Sequence, residues 1–270
     1  MISYRDLVIA FQRLGIDKSQ PVLVHSSLSS LGEIRGEEAA VVGALIATFH
    51  TIIMPTFTYR TMVIPETGPP DNAIEYGFGR ESNLRAEIFN TNMAVDRSKD
   101  QVPEVFRQFP GVKRTTHPIL SFAGINAHKF LSEQTLNDPL AFIKDMEKAN
   151  GWVLLLGADQ TSNISMHYAE RLAGRRQFIR WALTPGGIRE CHRIPGCSQG
   201  FNSLTAQMRG AIRRIHLGNG WLQAIPLPFL LNFVQDKIIN DPTAYLCHRP
   251  TCKSCQAVRK SVTIGELTNF

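Results

Sequence analysis

No stretch of the 270-residue sequence holds the ~18 consecutive apolar residues of a membrane-spanning helix, so a helical membrane protein is excluded. The longest candidate, IPLPFLLNFV at 225–234, is short and broken by two prolines. The opening MISYRDLVIAFQRLG lacks a basic segment followed by an unbroken apolar run, so no secretory leader is expected. Cysteine is scarce and odd in number: Cys191, Cys197, Cys247, Cys252 and Cys255. A disulfide framework is therefore not expected, and free thiols in a reducing cytoplasm are. Dense Lys/Arg tracts interleaved with aromatics are missing, as are helix-turn-helix, zinc-finger and RNA-binding signatures. The basic pairs Arg175-Arg176 and Arg213-Arg214 stand alone, so the net charge of +6 reads either as a merely basic soluble protein or as one that handles an anionic partner, with no nucleic-acid signature. Internal repeats and low-complexity segments are absent as well. At 43% hydrophobic residues the chain can bury one sizeable core.

What is present alternates between strand and helix patterns. Leu7, Phe11 and Leu14 share one face of a helix over 3–14, with Ser3 as cap and Gly15 as stop. Short apolar runs at 21–25, 51–55 and 152–157 read as buried strands, and a second helix is predicted over 37–49. Residues 60–100, polar and rich in Gly and Pro, form a long excursion of the functional kind. Further helices are predicted at 101–109, at 138–149 with Asp138 as cap and Pro139 in the first turn, at 163–173 and near 203–215. QFIRWAL and GGIRECHRI read as a hairpin turning at Pro185-Gly186-Gly187. The pattern predicts an α/β layered domain over 1–245 with a mixed sheet, followed by a Cys-containing tail over 246–270.

Five segments carry chemistry. His25-Ser26-Ser27-Leu28-Ser29-Ser30-Leu31 lies between a buried strand and a helix, where ligands of open α/β sheets bind. Its hydroxyls and backbone N–H groups suit phosphate or amide oxygens, although a Ser-rich turn capping a helix has the same pattern. His167-Tyr168-Ala169-Glu170 follows the loop Gly157-Ala158-Asp159-Gln160-Thr161-Ser162-Asn163. Residues i and i+3 share a helix face, so Glu170 can fix one nitrogen of His167 and leave the other as a base. A solvated His–Glu pair is the alternative. In Arg114-Thr115-Thr116-His117-Pro118 the proline holds His117 extended, as a site residue or as a histidine bonded to backbone. Met54-Pro55-Thr56-Phe57-Thr58-Tyr59 offers either a site wall or core. Cys247-x4-Cys252-x2-Cys255, even with His248, falls short of a convincing tetrahedral set, so no metal is expected there.

Together, VLVHSSLSSLGEIRG, MPTFT, FRQFPGVKRTTHPILSFAG and LLLGADQTSNISMHYAE resemble, in order and over roughly residues 3–210, blocks of the aminoglycoside 3-N-acetyltransferase (antibiotic N-acetyltransferase) family. The resemblance implies a three-layer α/β fold with a mixed central sheet, distinct from the GNAT acetyltransferases. It implies acetyl-CoA as cosubstrate along His25, Ser26, Ser27, Leu28, Ser29, Ser30 and Leu31, with Thr116 near it, and His167 with Glu170 as the catalytic pair. The acceptor would be an amine of an aminoglycoside-like molecule entering from the 57–90 side past Phe57 and Tyr59, with Asp159 among the acids that could meet its charge. Asn163-Ile164-Ser165 departs from the family's Asn-Thr-Ser/Thr, so if that Thr hydroxyl holds the thioester oxygen, Ser165 or a backbone N–H must substitute here. A nonantibiotic metabolite or sugar amine, or CoA binding without transfer, are the alternatives. The partner is a small molecule, with neither nucleic acid nor membrane, and the chain is a monomer or homodimer.

Overall fold

The structure, a computed structural model, describes residues 1–96 and 101–263. Ten strands run in order: β1 (Val22–Ser26), β2 (Ile52–Pro55), β3 (Met62–Val63), β4 (Lys113–Arg114), β5 (Phe122–Ile125), β6 (Trp152–Leu156), β7 (Phe178–Thr184), β8 (Gly187–Ile194), β9 (Arg213–Leu217) and β10 (Gly220–Pro226). Seven form a central sheet in the order β4-β5-β2-β1-β6-β10-β9. β1 pairs in parallel with β2 and β6, and the other neighbours are antiparallel. The sheet is mixed, as the pattern predicts.

Side-chain alternation explains the three layers. Leu23, Ile53, Val153, Leu155 and Ile225 point to one face, where helices Ile143–Lys148, Ser165–Leu172 and Leu227–Asn240 cover them. Val22, Val24, Ile52, Met54, Leu154 and Leu156 point to the other, under helices Tyr4–Arg13, Glu37–Thr48 and Val102–Gln108. Strands buried on both faces read as continuous apolar runs, which is why VLV, TIIM and WVLLL stand out. The first helix begins where expected: Asp6 N–H donates to Ser3 Oγ at 3.2 Å and Ser3 N–H donates to Asp6 Oδ2 at 2.9 Å, a closed capping box.

Three expectations need correction. The hairpin at Pro185 lies outside the main sheet and forms a separate three-stranded sheet, β3-β7-β8, to which the 60–100 excursion contributes β3. The helix expected over 138–149 is confined to Ile143–Lys148, because the Asp138 carboxylate accepts from Arg193 at 2.9 Å instead of capping a helix. The helix expected near 203–215 is a single 3-10 turn, Phe201–Leu204, followed by the strands of a second hairpin at Gly218. The proline-broken 225–234 run ends β10 and starts a 14-residue helix, since prolines in a first helical turn sacrifice no internal hydrogen bond. No described helix is long and apolar enough to cross a membrane.

The tail packs back on the small sheet. Leu246, Cys247, Cys255, Ala257 and Val258 cluster with Phe178, while Lys253 and Lys260 of the last helix (Lys253–Thr263) pair with Glu75 at 2.6 Å and Asp71 at 2.7 Å.

Two buried histidines make stability fall in acid. Desolvation pushes His25 down to about 3 and His117 down to about 4. An imidazole depressed in the folded chain takes its proton first in the unfolded one. Its stability contribution is complete above the ordinary value of ~6.5 and is lost as pH falls through the folded value. His25 Nε2 has no hydrogen-bond partner, so His25→Leu sacrifices little there. The variant is expected to reduce the slope of urea-unfolding free energy between ~pH 6.5 and ~pH 4.5 by up to ~1.4 kcal/mol per pH unit. Identical slopes in both proteins would show that His25 protonates in the native state.

Candidate active site

At the carboxyl end of the parallel strands two loops meet. β1 runs into a 3-10 turn, Leu28–Ser30, and the neighbouring β6 runs into Gly157. Gly157 has φ +64, and a Cβ on it would stand 2.4 Å from Ser30 Oγ and 2.5 Å from Ser27 O. Only glycine lets the two loops come this close. Ser30 Oγ donates across the gap to Gly157 O at 2.6 Å. Beyond Gly157, Asp159 Oδ1 accepts from Thr161 N–H at 3.0 Å and caps the turn Gln160–Ser162. Asn163 Oδ1 accepts from Ser165 N–H at 3.2 Å and starts the helix Ser165–Leu172.

That helix carries a buried ionic chain. His167 Nδ1 lies 2.5 Å from Glu170 Oε2, and Arg175 donates to Glu170 Oε1 at 2.8 Å. His167, Glu170 and Arg175 are each 5% exposed or less. Burial alone would raise the Glu170 carboxyl, but the adjacent His167 and Arg175 outweigh it and hold the group below the ordinary carboxylate value. An ionised Glu170 can only accept a hydrogen bond, so Nδ1 is the nitrogen that carries the proton in this pair and the Nε2 lone pair is free. Arg175 also donates to Pro242 O at 2.8 Å and Ala244 O at 3.0 Å and lies over the Tyr245 ring at 4.6 Å. The Tyr245 ring packs edge-on against Phe201, and Phe201 lies 4.7 Å from the His167 ring. A Cβ on Gly200 would stand 1.8 Å from Tyr245 O, so glycine is what admits this segment.

His167 opens into a cavity of about 360 Å³, walled by Phe57 and Tyr59 from the segment after β2, Met62 of β3, Thr161 to Ile164, Arg180 of β7, and Ile194 to Gly196 with Ser198. The volume is at the low end of the ~300–1,000 Å³ typical of small-molecule sites. No carboxylate lines it among the described residues, and its fixed positive charge is Arg180. Arg180 is 9% exposed and donates to Asn72 O at 2.9 Å and Ile179 O at 2.7 Å.

Of the residues singled out in the sequence, the cavity gathers His167, Phe57 and Tyr59, with Glu170 behind the imidazole. The serine segment lies one loop away. Leu28 and Leu31 are core, His25 and Ser27 are buried, and the Ser30 hydroxyl is engaged by Ser27 O and Gly157 O, so Ser26 and the exposed Ser29 are the side chains best placed to meet a ligand. Thr116 is exposed outside the cavity. His117 Nδ1 accepts from the N–H groups of Ile119 and Leu120 at 3.2 and 3.0 Å, the structural alternative of the reading. Asp159 does not line the cavity, and its second oxygen accepts from Asn202 at 2.8 Å. Arg180 and Arg175 were missed. A charge on the apolar side of QFIRWAL, between Phe178 and Ala182, was the available signal for Arg180. For Arg175 there was none, since five residues from Glu170 matches no helical pairing.

The geometry has known counterparts. The family described as Aminoglycoside 3-N-acetyltransferase matches residues 23–238. The SPbeta prophage-derived aminoglycoside N(3')-acetyltransferase-like protein YokD of Bacillus subtilis strain 168 is 36% identical over 166 residues, which are 58% of this chain and 60% of that protein. Its crystal structure superposes with a TM-score of 0.76 at 25% identity, covering 90% of this chain and 95% of that one. Aminoglycoside N(3)-acetyltransferase VIII of Streptomyces fradiae is 28% identical over 70% of this chain and 68% of its own length. The fold is also that of aminoglycoside acetyltransferase AAC(3)-IVa, at a TM-score of 0.76 and 21% identity over 96% of this chain and 97% of the other. The non-GNAT, three-layer architecture and the matched span agree: the chain belongs to the aminoglycoside 3-N-acetyltransferase family.

Proposed function

We propose that the chain transfers the acetyl group of acetyl-CoA to a primary amine, with His167 as general base and Glu170 as its positioning partner. The observation that carries this is the buried His167–Glu170–Arg175 chain opening on a cavity through the imidazole. Acetyl-CoA supplies the activated acyl group, as the family's name implies. The residues present fit its thioester end: the cavity is large enough for an acetyl thioester beside an amine, Ser162 and Thr161 line it, and the buried Ser165 hydroxyl has no partner. Its polar end would run toward Ser26 and Ser29 at the neighbouring strand end.

An amine attacks only with a free lone pair. Glu170 accepts a hydrogen bond from the Nδ1–H of His167 and fixes the tautomer, so Nε2 takes the proton that the attacking nitrogen sheds. Thiolate departs as the amide forms. The backbone N–H groups of residues 160–163 are spent within the turn or on Asn202, so an acyl oxygen developing charge would turn to side chains such as the Ser162 hydroxyl.

The family points to an aminoglycoside as acceptor. The cavity favours a second reading, an amine of lower positive charge, because Arg180 faces it and no described carboxylate does. Asp71, Glu75 and Glu87, acids of the flanking excursion, are paired with Lys260, Lys253 and Arg60. Thiol release from acetyl-CoA across aminoglycosides, neutral amino sugars and anionic amines tests both. Amine-dependent release is expected, highest for aminoglycosides on the first reading and for uncharged or anionic amines on the second. CoA binding with no release for any amine would refute transfer.

A further inference from the structure

Cys197, Cys247, Cys252 and Cys255 hold their four sulfurs within 4.8 Å of one another. They come from three places in the fold: the loop after β8, the segment before the last helix, and the start of that helix. All are free thiols. In a tetrahedral zinc–thiolate site with Zn–S near ~2.3 Å, sulfurs stand ~3.8 Å apart, so a small contraction suffices. Gln199 N–H donates to Cys197 Sγ at 3.5 Å. The Arg249 guanidinium reaches both Cys197 and Cys247. Donors to a ligand sulfur and a nearby cation are what a metal thiolate needs outside its coordination sphere.

We infer that these four cysteines form a structural zinc site fastening the C-terminal helix to the loop that walls the cavity. Soft thiolates in this number select zinc over hard cations such as magnesium or calcium. Four protein ligands leave no open position, so the ion is structural rather than catalytic. Binding releases the thiol protons to solvent and leaves two net negative charges, one of which Arg249 offsets. His248, adjacent in sequence to Cys247, is not among the ligands; Cys197, 50 residues upstream of Cys247, is the fourth. Cys197 sits between Gly196 and Ser198 of the cavity wall, so the ion would brace that wall.

The full chain, purified under reductant from zinc-containing medium, is expected to carry about one zinc per chain by elemental analysis. A mercurial should release it, and chelation should lower the thermal midpoint. Exchange for cobalt should give sulfur-to-metal charge transfer and the strong visible bands of a tetrahedral thiolate. Cys252→Ser and Cys197→Ser should each weaken metal binding by more than the ~10–100-fold that loss of an outer hydrogen-bond partner costs. His248→Ala should leave stoichiometry and cobalt spectrum unchanged. Metal-free protein without thiolate bands on cobalt addition, iron in place of zinc, or disulfides in place of four titratable thiols would overturn the assignment. So would loss of metal in His248→Ala with retention in Cys197→Ser. If the cysteine variants fail to fold, the metal content and cobalt spectrum of the unaltered protein decide.

Discussion

His167→Ala is expected to lower kcat for amine-dependent thiol release by ~10²–10⁴ while the protein stays folded. The loss is in the chemical step, because the variant removes a proton acceptor rather than a binding surface, so KM for acetyl-CoA should change far less than kcat. Folding survives because Glu170 keeps its ion pair with Arg175 at 2.8 Å and is not left as an isolated buried charge. His167→Asn separates the two roles of the imidazole. The Asn amide can replace Nδ1 as donor to Glu170, but nothing replaces the lone pair of Nε2. It should therefore retain more stability than the alanine variant and be equally slow. Turnover near the unaltered level in His167→Asn, with the thermal midpoint preserved, would remove His167 from the mechanism. Glu170 should stay ionised down through the ordinary carboxylate range, since His167 and Arg175 hold its carboxyl low against the effect of burial, so its protonation should not limit the rate there.

The parts legible in the sequence are those in which one local rule decides. β1, β2 and β6 are covered on both faces, so their apolar runs show through without alternation. The His167–Glu170 pair is a helical i, i+3 contact, readable from spacing alone. The first helix announces itself with Ser3 and Asp6. What escaped depends on tertiary placement. Arg175 reads as half of a basic pair, yet its partners are Glu170 and carbonyls nearly 70 residues downstream. Cys197 reads as a stray thiol until the tail folds back onto the small sheet. Asp159 reads as an acid available to a cationic ligand, whereas it is consumed in capping its own turn and holding Asn202. The second hairpin was misread because its first strand, Arg213–Leu217, shows little burial and so little pattern.

Arg175→Ala tests whether the segment 242–245 and the active-site carboxylate are one unit, and it should destabilise the chain by ~3–5 kcal/mol, the range for breaking a buried pair from one side. The guanidinium ties together three acceptors, Glu170 Oε1, Pro242 O and Ala244 O, and fills the space beneath the Tyr245 ring. Removing it leaves a buried carboxylate with only His167 as partner. Arg175→Lys should rescue little, since an ammonium on a flexible stem cannot span a planar fork of acceptors. Glu170→Gln with Arg175→Met should instead recover part of the loss, because neither partner is then an unpaired charge. It should not restore turnover, since a neutral amide no longer stabilises a protonated His167. The sign with pH follows from the depressed Glu170 value. The pair's contribution is complete above the ordinary carboxylate value and disappears as pH falls below it, so the gap between Arg175→Ala and the unaltered chain in urea unfolding should narrow in acid. A gap independent of pH would mean that Arg175 acts through the two carbonyls and the Tyr245 ring alone, and that Glu170 is held in place by His167 without it.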